Sequence, residues 1–300
     1  MTDAPIPTPS AVAAASAPGA APASPFFRAG GRNRFTARRA RVVSVEQVAP
    51  VLLRVRVTGP DFADFSSGGP ADHVRVFFPD PETGELVAPI AAGPGEDGIV
   101  RPDGPMHARD FTPLRVHTEA DEVTVDLDFY LHPSPGPASR WAGEAGVGDE
   151  LVIVGPRGSR GAPQGAARLV LVCDETALPS ATRWAAEVPA ATSVDLLAIT
   201  ADDGSWVGPY IAATSGRDDV TVRHLDAGDP EAVIAAVDAV GVDASTFVFA
   251  AGEASALIPL RRHLRRTLAL PAEQVALSGY WKRGTSGFDH HAPIDPSDPD

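Results

Sequence analysis

Residues 109–115 read Arg-Asp-Phe-Thr-Pro-Leu-Arg and put a guanidinium, an aromatic ring and a hydroxyl into four consecutive positions of an extended segment. On a strand, alternate side chains leave on one face, so Arg109 and Phe111 point together while Thr112 meets whatever lies across the strand end. An arginine fork matches a pyrophosphate, an aromatic ring covers an isoalloxazine or ribityl face, and a threonine hydroxyl bonds a ring nitrogen. These residue types suit a flavin. Taken alone, the heptad also reads as an ordinary amphipathic strand. A second cluster, His-Pro-Ser-Pro-Gly-Pro-Ala-Ser-Arg-Trp-Ala at 132–142, ends a strand and opens a short helix. Its Gly-Pro-Ala-Ser turn presents backbone N–H groups and a hydroxyl to an anion such as a diphosphate, or else simply caps a helix. A third stretch, Gly-Tyr-Trp-Lys-Arg-Gly at 279–284, holds Lys282, the only lysine among 25 basic residues. An ammonium and a guanidinium are not interchangeable at a binding site.

The elements that must position these groups fall into two halves. Residues 1–31 are Ala, Pro and Ser with few large apolar groups, which predicts a disordered tail. Period-two alternation then predicts strands at 41–48, 51–58, 73–78, 123–131 and 151–154, with a long loop or hairpin at 79–105. Many strands with almost no helix indicate a small antiparallel barrel over 32–157. Residues 158–166 read as a linker. Apolar runs at 169–173, 194–199, 220–224, 247–250 and 274–280 then alternate with helices at 177–188, 230–240 and 254–268. Buried strands alternating with helices predict a parallel, doubly wound sheet over 167–288, followed by an acidic tail at 289–300. His290 and His291 belong to that tail, and two histidines are too few for a metal site, so no metal is expected. The arginines at 261, 262, 265 and 266 read as a solvated helix face.

Composition narrows the function. A formal charge of −14 leaves no basic footprint for nucleic acid or for an anionic membrane, although the arginines at 28–41 make the start of the barrel basic. No apolar run is long enough to span a bilayer, and the N-terminus lacks the layout of a signal peptide, so a cytoplasmic protein is expected. The single cysteine, Cys173, excludes an internal disulfide and any cysteine-held cluster within one chain. No Gly-x-Gly-x-x-Gly follows 169–173, and there is no Walker loop, His-Glu-x-x-His or serine elbow.

Seven stretches in order resemble the siderophore-interacting protein family, the FAD-containing ferric-siderophore reductases related to ferredoxin-NADP reductases. They are Asp-His-Val-Arg-Val-Phe-Phe-Pro at 72–79, Arg-Asp-Phe-Thr-Pro at 109–113, Leu131-His132 with 136–141, and Gly148-Asp149 with Gly-Pro-Arg-Gly-Ser at 155–159. Asp-Glu-Thr-Ala-Leu-Pro at 174–179, Ala-Gly-Glu at 251–253 with 260–262, and the stretch at 279–284 complete the set. The resemblance runs from about residue 35 to 284. It implies a Greek-key FAD barrel followed by a Rossmann-like NAD(P)H domain. It also implies that Arg109, Phe111, Thr112, His132, Gly136, Ala138 and Ser139 cradle FAD. Asp174, Glu175, Thr176 and Ala177 would face nicotinamide or flavin, and Trp281 would lie near the isoalloxazine. Arg75, Arg157 and Lys282, with Arg283 beside them, would attract an anionic ferric siderophore. No side chain is assigned a catalytic role, because the flavin carries the electrons. Two departures stand out: Phe111 replaces the family's tyrosine, and Pro133 the glycine expected after His132. The expected reaction takes hydride from NAD(P)H, with NADH favoured by the lack of a cation cluster for a 2′-phosphate, and delivers single electrons to Fe(III) in a monomeric protein. Alternatives are a ferredoxin-dependent version, a flavin reductase or oxygenase reductase component, and a non-enzymatic siderophore binder.

Overall fold

A computed structural model describes residues 24–120, 122–132 and 135–298. The first half contains β1 (Gly30–Arg32), β2 (Ala37–Ala49), β3 (Leu52–Thr58), β4 (Val74–Phe78), β5 (Ile90–Ala91), β6 (Ile99–Val100), β7 (His107–Phe111), β8 (Arg115–Glu119), β9 (Glu122–Tyr130), α1 (Pro137–Glu144), β10 (Glu150–Val154) and β11 (Gly158–Arg160). Seven strands pair antiparallel in the order β7-β4-β10-β2-β3-β9-β8. The outermost two, β7 and β8, are joined only by residues 112–114. At no more than about 3.6 Å per residue, that link forces the sheet to curl until its edges approach. The curl gives the barrel, and it puts the Arg-x-Phe-Thr segment at the seam. Val125, Leu127 and Phe129 of β9 fill the barrel with Val55, Val57, Val74, Val76 and Phe78.

The other face of β9 is not solvated as alternation predicts. Asp126 and Asp128 are buried, because Arg56 and Arg54 stand directly opposite them in register and grip them through paired hydrogen bonds of 2.6–3.0 Å. The long loop contains the β5–β6 hairpin.

The second half runs β12 (Arg168–Asp174), α2 (Leu178–Glu187), β13 (Ser193–Thr200), α3 (Val207–Ser215), β14 (Thr221–Asp226), α4 (Pro230–Val240), β15 (Thr246–Glu253), α5 (Leu257–Arg262) and β16 (Val275–Trp281). The strands are parallel in the order β14-β13-β12-β15-β16. Alternation along β12 explains the two layers of helices. Leu169, Leu171 and Cys173 pack with Trp184, Tyr210 and Ile211 from α2 and α3, whereas Val170 and Val172 pack with Val237 of α4 and Leu257 and Leu260 of α5. Helix α4 starts where Asp229 accepts hydrogen bonds from the N–H groups of Glu231 and Ala232 and Pro230 presets the first turn. It stops at Gly241, whose φ of 79° suits glycine. Helix α3 is absent from the sequence expectation, since Gly208 and Pro209 lie in its first turn and read as breakers. The helix expected at 254–268 is α5 followed by a wider turn at His263–Thr267.

The ends of the chain differ from expectation. Residues 1–23 of the anticipated tail lie outside the described residues. Residues 24–31 pack instead of floating: Phe26 is buried in the α/β core, and β1 pairs with β11, the start of the anticipated linker. The C-terminal segment also packs. Asp295 is buried and binds Arg262 at 2.7 Å, Asp298 binds Arg261 at 3.2 Å and also Arg266, and Ile294 joins the core beside α5. Arg261, Arg262 and Arg266 of the basic helix face therefore pair with the acidic tail, although Arg262 and Arg266 stay more than half exposed, an attraction between segments about 30 residues apart that a one-dimensional reading treats separately.

Candidate active site

Strand order reverses between β12 and β15, and open α/β sheets hold ligands beyond the carboxyl ends of the strands at such a point. Here the ends of β12 and β16 face the barrel seam across a cavity of about 450 Å³. Ten of the twelve anticipated cofactor residues line it: Arg109, Phe111, Thr112, His132, Gly136, Ala138, Ser139, Glu175, Thr176 and Trp281. Lys282 lines it too.

The barrel wall is aromatic. The Phe111 ring lies 4.3 Å from that of Phe129 and 6.0 Å from that of Phe78, so the phenyl group that stands for a tyrosine is seated on the barrel core. Arg109 is exposed, and its only hydrogen bond among the described residues goes to the neighbouring Ala108 carbonyl at 2.7 Å. Across the cavity, Gly136 is the N-cap of α1 and brings no side chain of its own to the first N–H groups of the helix. Ser139 bridges locally, accepting from His132 N–H at 3.1 Å and donating to the Tyr130 carbonyl at 3.3 Å. Pro133 lies outside the described residues.

Asp174 and Ala177 sit behind the wall. The buried Asp174 carboxylate accepts from Thr176 N–H at 3.0 Å, Thr176 Oγ1 at 2.6 Å, Glu253 N–H at 3.0 Å and Trp281 Nε1 at 2.8 Å. Burial pushes its carboxyl up in pKa, while the four donors favour the charged form. Its role is to fix the Trp281 ring. Gly252, with φ of 146°, passes so close that a Cβ there would stand 2.4 Å from Asp174 Oδ2. Ala177 ends the turn into α2 and is fully buried.

The anticipated substrate cations are spread out. Arg75 binds Asp110 through two hydrogen bonds of 2.7 and 2.8 Å. The Arg157 guanidinium lies 3.8 Å from the Phe35 ring centroid and away from the cavity. Arg283 is not among the residues that line the cavity, and its backbone N–H donates to Glu253 Oε1 at 3.1 Å. Lys282 is the anticipated substrate cation that the fold brings to the cavity.

Other lining groups were not anticipated. Tyr130 ends β9, and Tyr280 precedes Trp281; burial pushes both phenols up to about 12, so they remain protonated donors at neutral pH. The position of Tyr130 at the end of the cleanest alternating strand, two residues before His132, was a readable signal. His73 and His290 line the cavity together, although they are 217 residues apart. Burial, then the neighbouring His290, hold His73 down to about 4, and burial also lowers His132.

A curled antiparallel domain, a parallel domain with its switch point turned toward it, and an aromatic cavity between them have the layout of a two-domain, FAD-containing oxidoreductase. The donors fit FAD: the exposed Arg109 guanidinium and the glycine-capped start of α1 for phosphates, with Phe111, Tyr130 and Trp281 for the rings. The family model for the siderophore-interacting FAD-binding domain matches residues 41–160, and that for the siderophore-interacting protein matches residues 166–284. The chain belongs to the siderophore-interacting protein family, and its first domain is that family's FAD-binding domain. It is 31% identical to the NADPH-dependent ferric-chelate reductase of Escherichia coli K12, over 83% of this chain and 94% of that one. It is 26% identical to the ferric vibriobactin reductase ViuB of Vibrio cholerae, over 83% and 90%. The crystal structure of a siderophore utilization protein from T. fusca superposes with a TM-score of 0.73 at 34% identity, covering 88% of this chain and all of that one.

Proposed function

We propose that this protein is a ferric-siderophore reductase that uses NAD(P)H and FAD to reduce siderophore-bound Fe(III) and release Fe(II). The observation that carries the reading is the convergence of the FAD-type residues of both domains on one cavity whose rim bears the chain's only lysine. Bound FAD supplies the conversion of a two-electron donor into single electrons for the metal. Arg109 and the start of α1 hold its phosphates. Phe111 and Trp281 hold its rings, with Asp174 fixing Trp281. Lys282 attracts the oxygen-rich, often anionic chelate to the open edge, and Arg75 and Arg283 add charge nearby. Reduction weakens the chelate because Fe(II) binds hard oxygen ligands less firmly than Fe(III).

The donor in this reading is NADH ahead of NADPH, and a nicotinamide instead of a ferredoxin. The loop that follows β13 carries Asp202 and Asp203, whose charges would repel a 2′-phosphate placed there. The E. coli relative is named for NADPH, so the two nucleotides have to be compared directly. The protein acts as a monomer in the cytoplasm, where nicotinamide is at hand; no helix among the described residues is long and apolar enough to cross a membrane.

The test is anaerobic turnover of a ferric siderophore, with Fe(II) trapped by a chromogenic chelator. Lys282→Ala should raise KM for the chelate severalfold and leave the rate of flavin reduction by NADH unchanged. Slower flavin reduction with unaltered chelate turnover would refute that assignment.

A further inference from the structure

We propose that His73, His290 and His291 form a three-imidazole site for a divalent transition-metal ion at the edge of the flavin cavity, and that in turnover it receives the ferrous ion leaving the siderophore. The second clause rests on the ferric-siderophore reductase reading; the first does not. One ring nitrogen from each histidine lies within 4.8 Å of the other two. The Nε2 atoms of His73 and His290 are 3.0 Å apart, and the ring centroids of His290 and His291 are 4.0 Å apart. Nitrogens bound to one tetrahedral ion at about 2.0–2.1 Å stand about 3.4 Å from each other. The cluster brackets that spacing, so small rotations of exposed His291 would close it.

Buried His290 Nδ1 lies 3.0 Å from Asp110 Oδ2, which leaves Nε2 to face His73. A carboxylate beside the second nitrogen of a ligating imidazole is the usual support of a metal site, since it orients the ring and raises its basicity. Asp110 is itself held by Arg75. The cluster is assembled by the fold: His73 lies just before β4, and the tail that brings His290 and His291 is anchored by Asp295 on Arg262.

Chemistry selects the reduced ion. Fe(III) prefers the hard oxygens of the siderophore, whereas imidazole suits Fe(II), Zn(II), Ni(II) and Cu(II). Transfer is ligand exchange without electron movement: siderophore oxygens leave the ferrous ion as imidazole nitrogens bond to it. His73 and His290 line the same cavity as Trp281 and Lys282, so the ion has a short path.

The test needs no turnover. The oxidised, FAD-loaded protein is titrated anaerobically with Co(II) and with Fe(II), reading the heat of binding and the visible bands of nitrogen-bound cobalt. One equivalent of each should bind, and His291→Ala should weaken binding at least about tenfold with the flavin spectrum unchanged. His290→Ala should weaken metal binding as well. No cobalt binding, or binding indifferent to both substitutions, overturns the site, whereas cobalt bound and ferrous iron refused overturns the ferrous assignment. A protein that binds metal but reduces no ferric chelate would refute the reductase reading while leaving the metal site standing.

Discussion

Arg109 is the side chain most open to test, because among the described residues its guanidinium bonds only to a neighbouring carbonyl. A charged hydrogen bond contributes about 1.5–3 kcal/mol, so Arg109→Ala should weaken FAD binding about ten- to a hundredfold, as read by quenching of flavin fluorescence. Retention of full affinity would remove it from the phosphate site. Gly252→Ala is the converse case. The new methyl would meet Asp174 at 2.4 Å in a backbone conformation that alanine rarely adopts. A loss of about 1–3 kcal/mol in chemical denaturation should accompany a loosened Trp281, visible as altered tryptophan emission. At this scale the sequence was informative about which residues reach the cavity: Arg109, Phe111, Thr112, His132 and Trp281, each inside a compact motif, all line it. Arg157 could not be placed, since its stacking on Phe35 joins residues 122 positions apart. His73 with His290 was unreadable for the same reason.

Strands and helices were legible through their periods, but their solvent faces were not. β9 alternates cleanly, yet Asp126 and Asp128 are buried, because Arg54 and Arg56 of β3 pair with them across the ladder. Asp128 also accepts a 2.7 Å hydrogen bond from the Tyr210 hydroxyl of α3, and Arg54 reaches Thr214. These contacts clamp the second domain to the outside of the first, and Arg183 of α2 adds bonds to Ser67 and to the Pro113 carbonyl. Asp128→Asn should cost about 3 kcal/mol and lower the unfolding midpoint of both domains together. An unchanged midpoint would mean that the interface contributes little. Acid should act on the connection between β3 and β4, which carries Asp64. Hydrogen bonding from Arg34, with help from Arg38, holds this carboxyl at about 2, below its ordinary value of 3.8. A carboxylate depressed on folding adds stability that is fully present above its unfolded value and is lost as pH falls through the folded one. The stability difference between the native protein and Asp64→Asn should therefore shrink as pH falls from about 5 to about 2. A difference that stays constant across that range would contradict the pairing.

At the scale of the whole molecule, a barrel that curls through a three-residue link and a sheet that reverses order between β12 and β15 together build one cavity. Two-domain order was legible because the hydrophobic period changes from alternation to continuous runs near residue 168. The packed ends were not, since charge pairing of Asp295 and Asp298 with α5 and the turn after it depends on tertiary proximity. The most direct test is the visible spectrum of the purified, FAD-loaded protein, recorded anaerobically as NADH and then a ferric siderophore are added. Flavin bands that bleach with NADH and return with the chelate, as Fe(II) accumulates, are the predicted result. Bands that bleach but do not return would contradict a ferric-siderophore reductase and point to a flavin reductase or a protein acceptor.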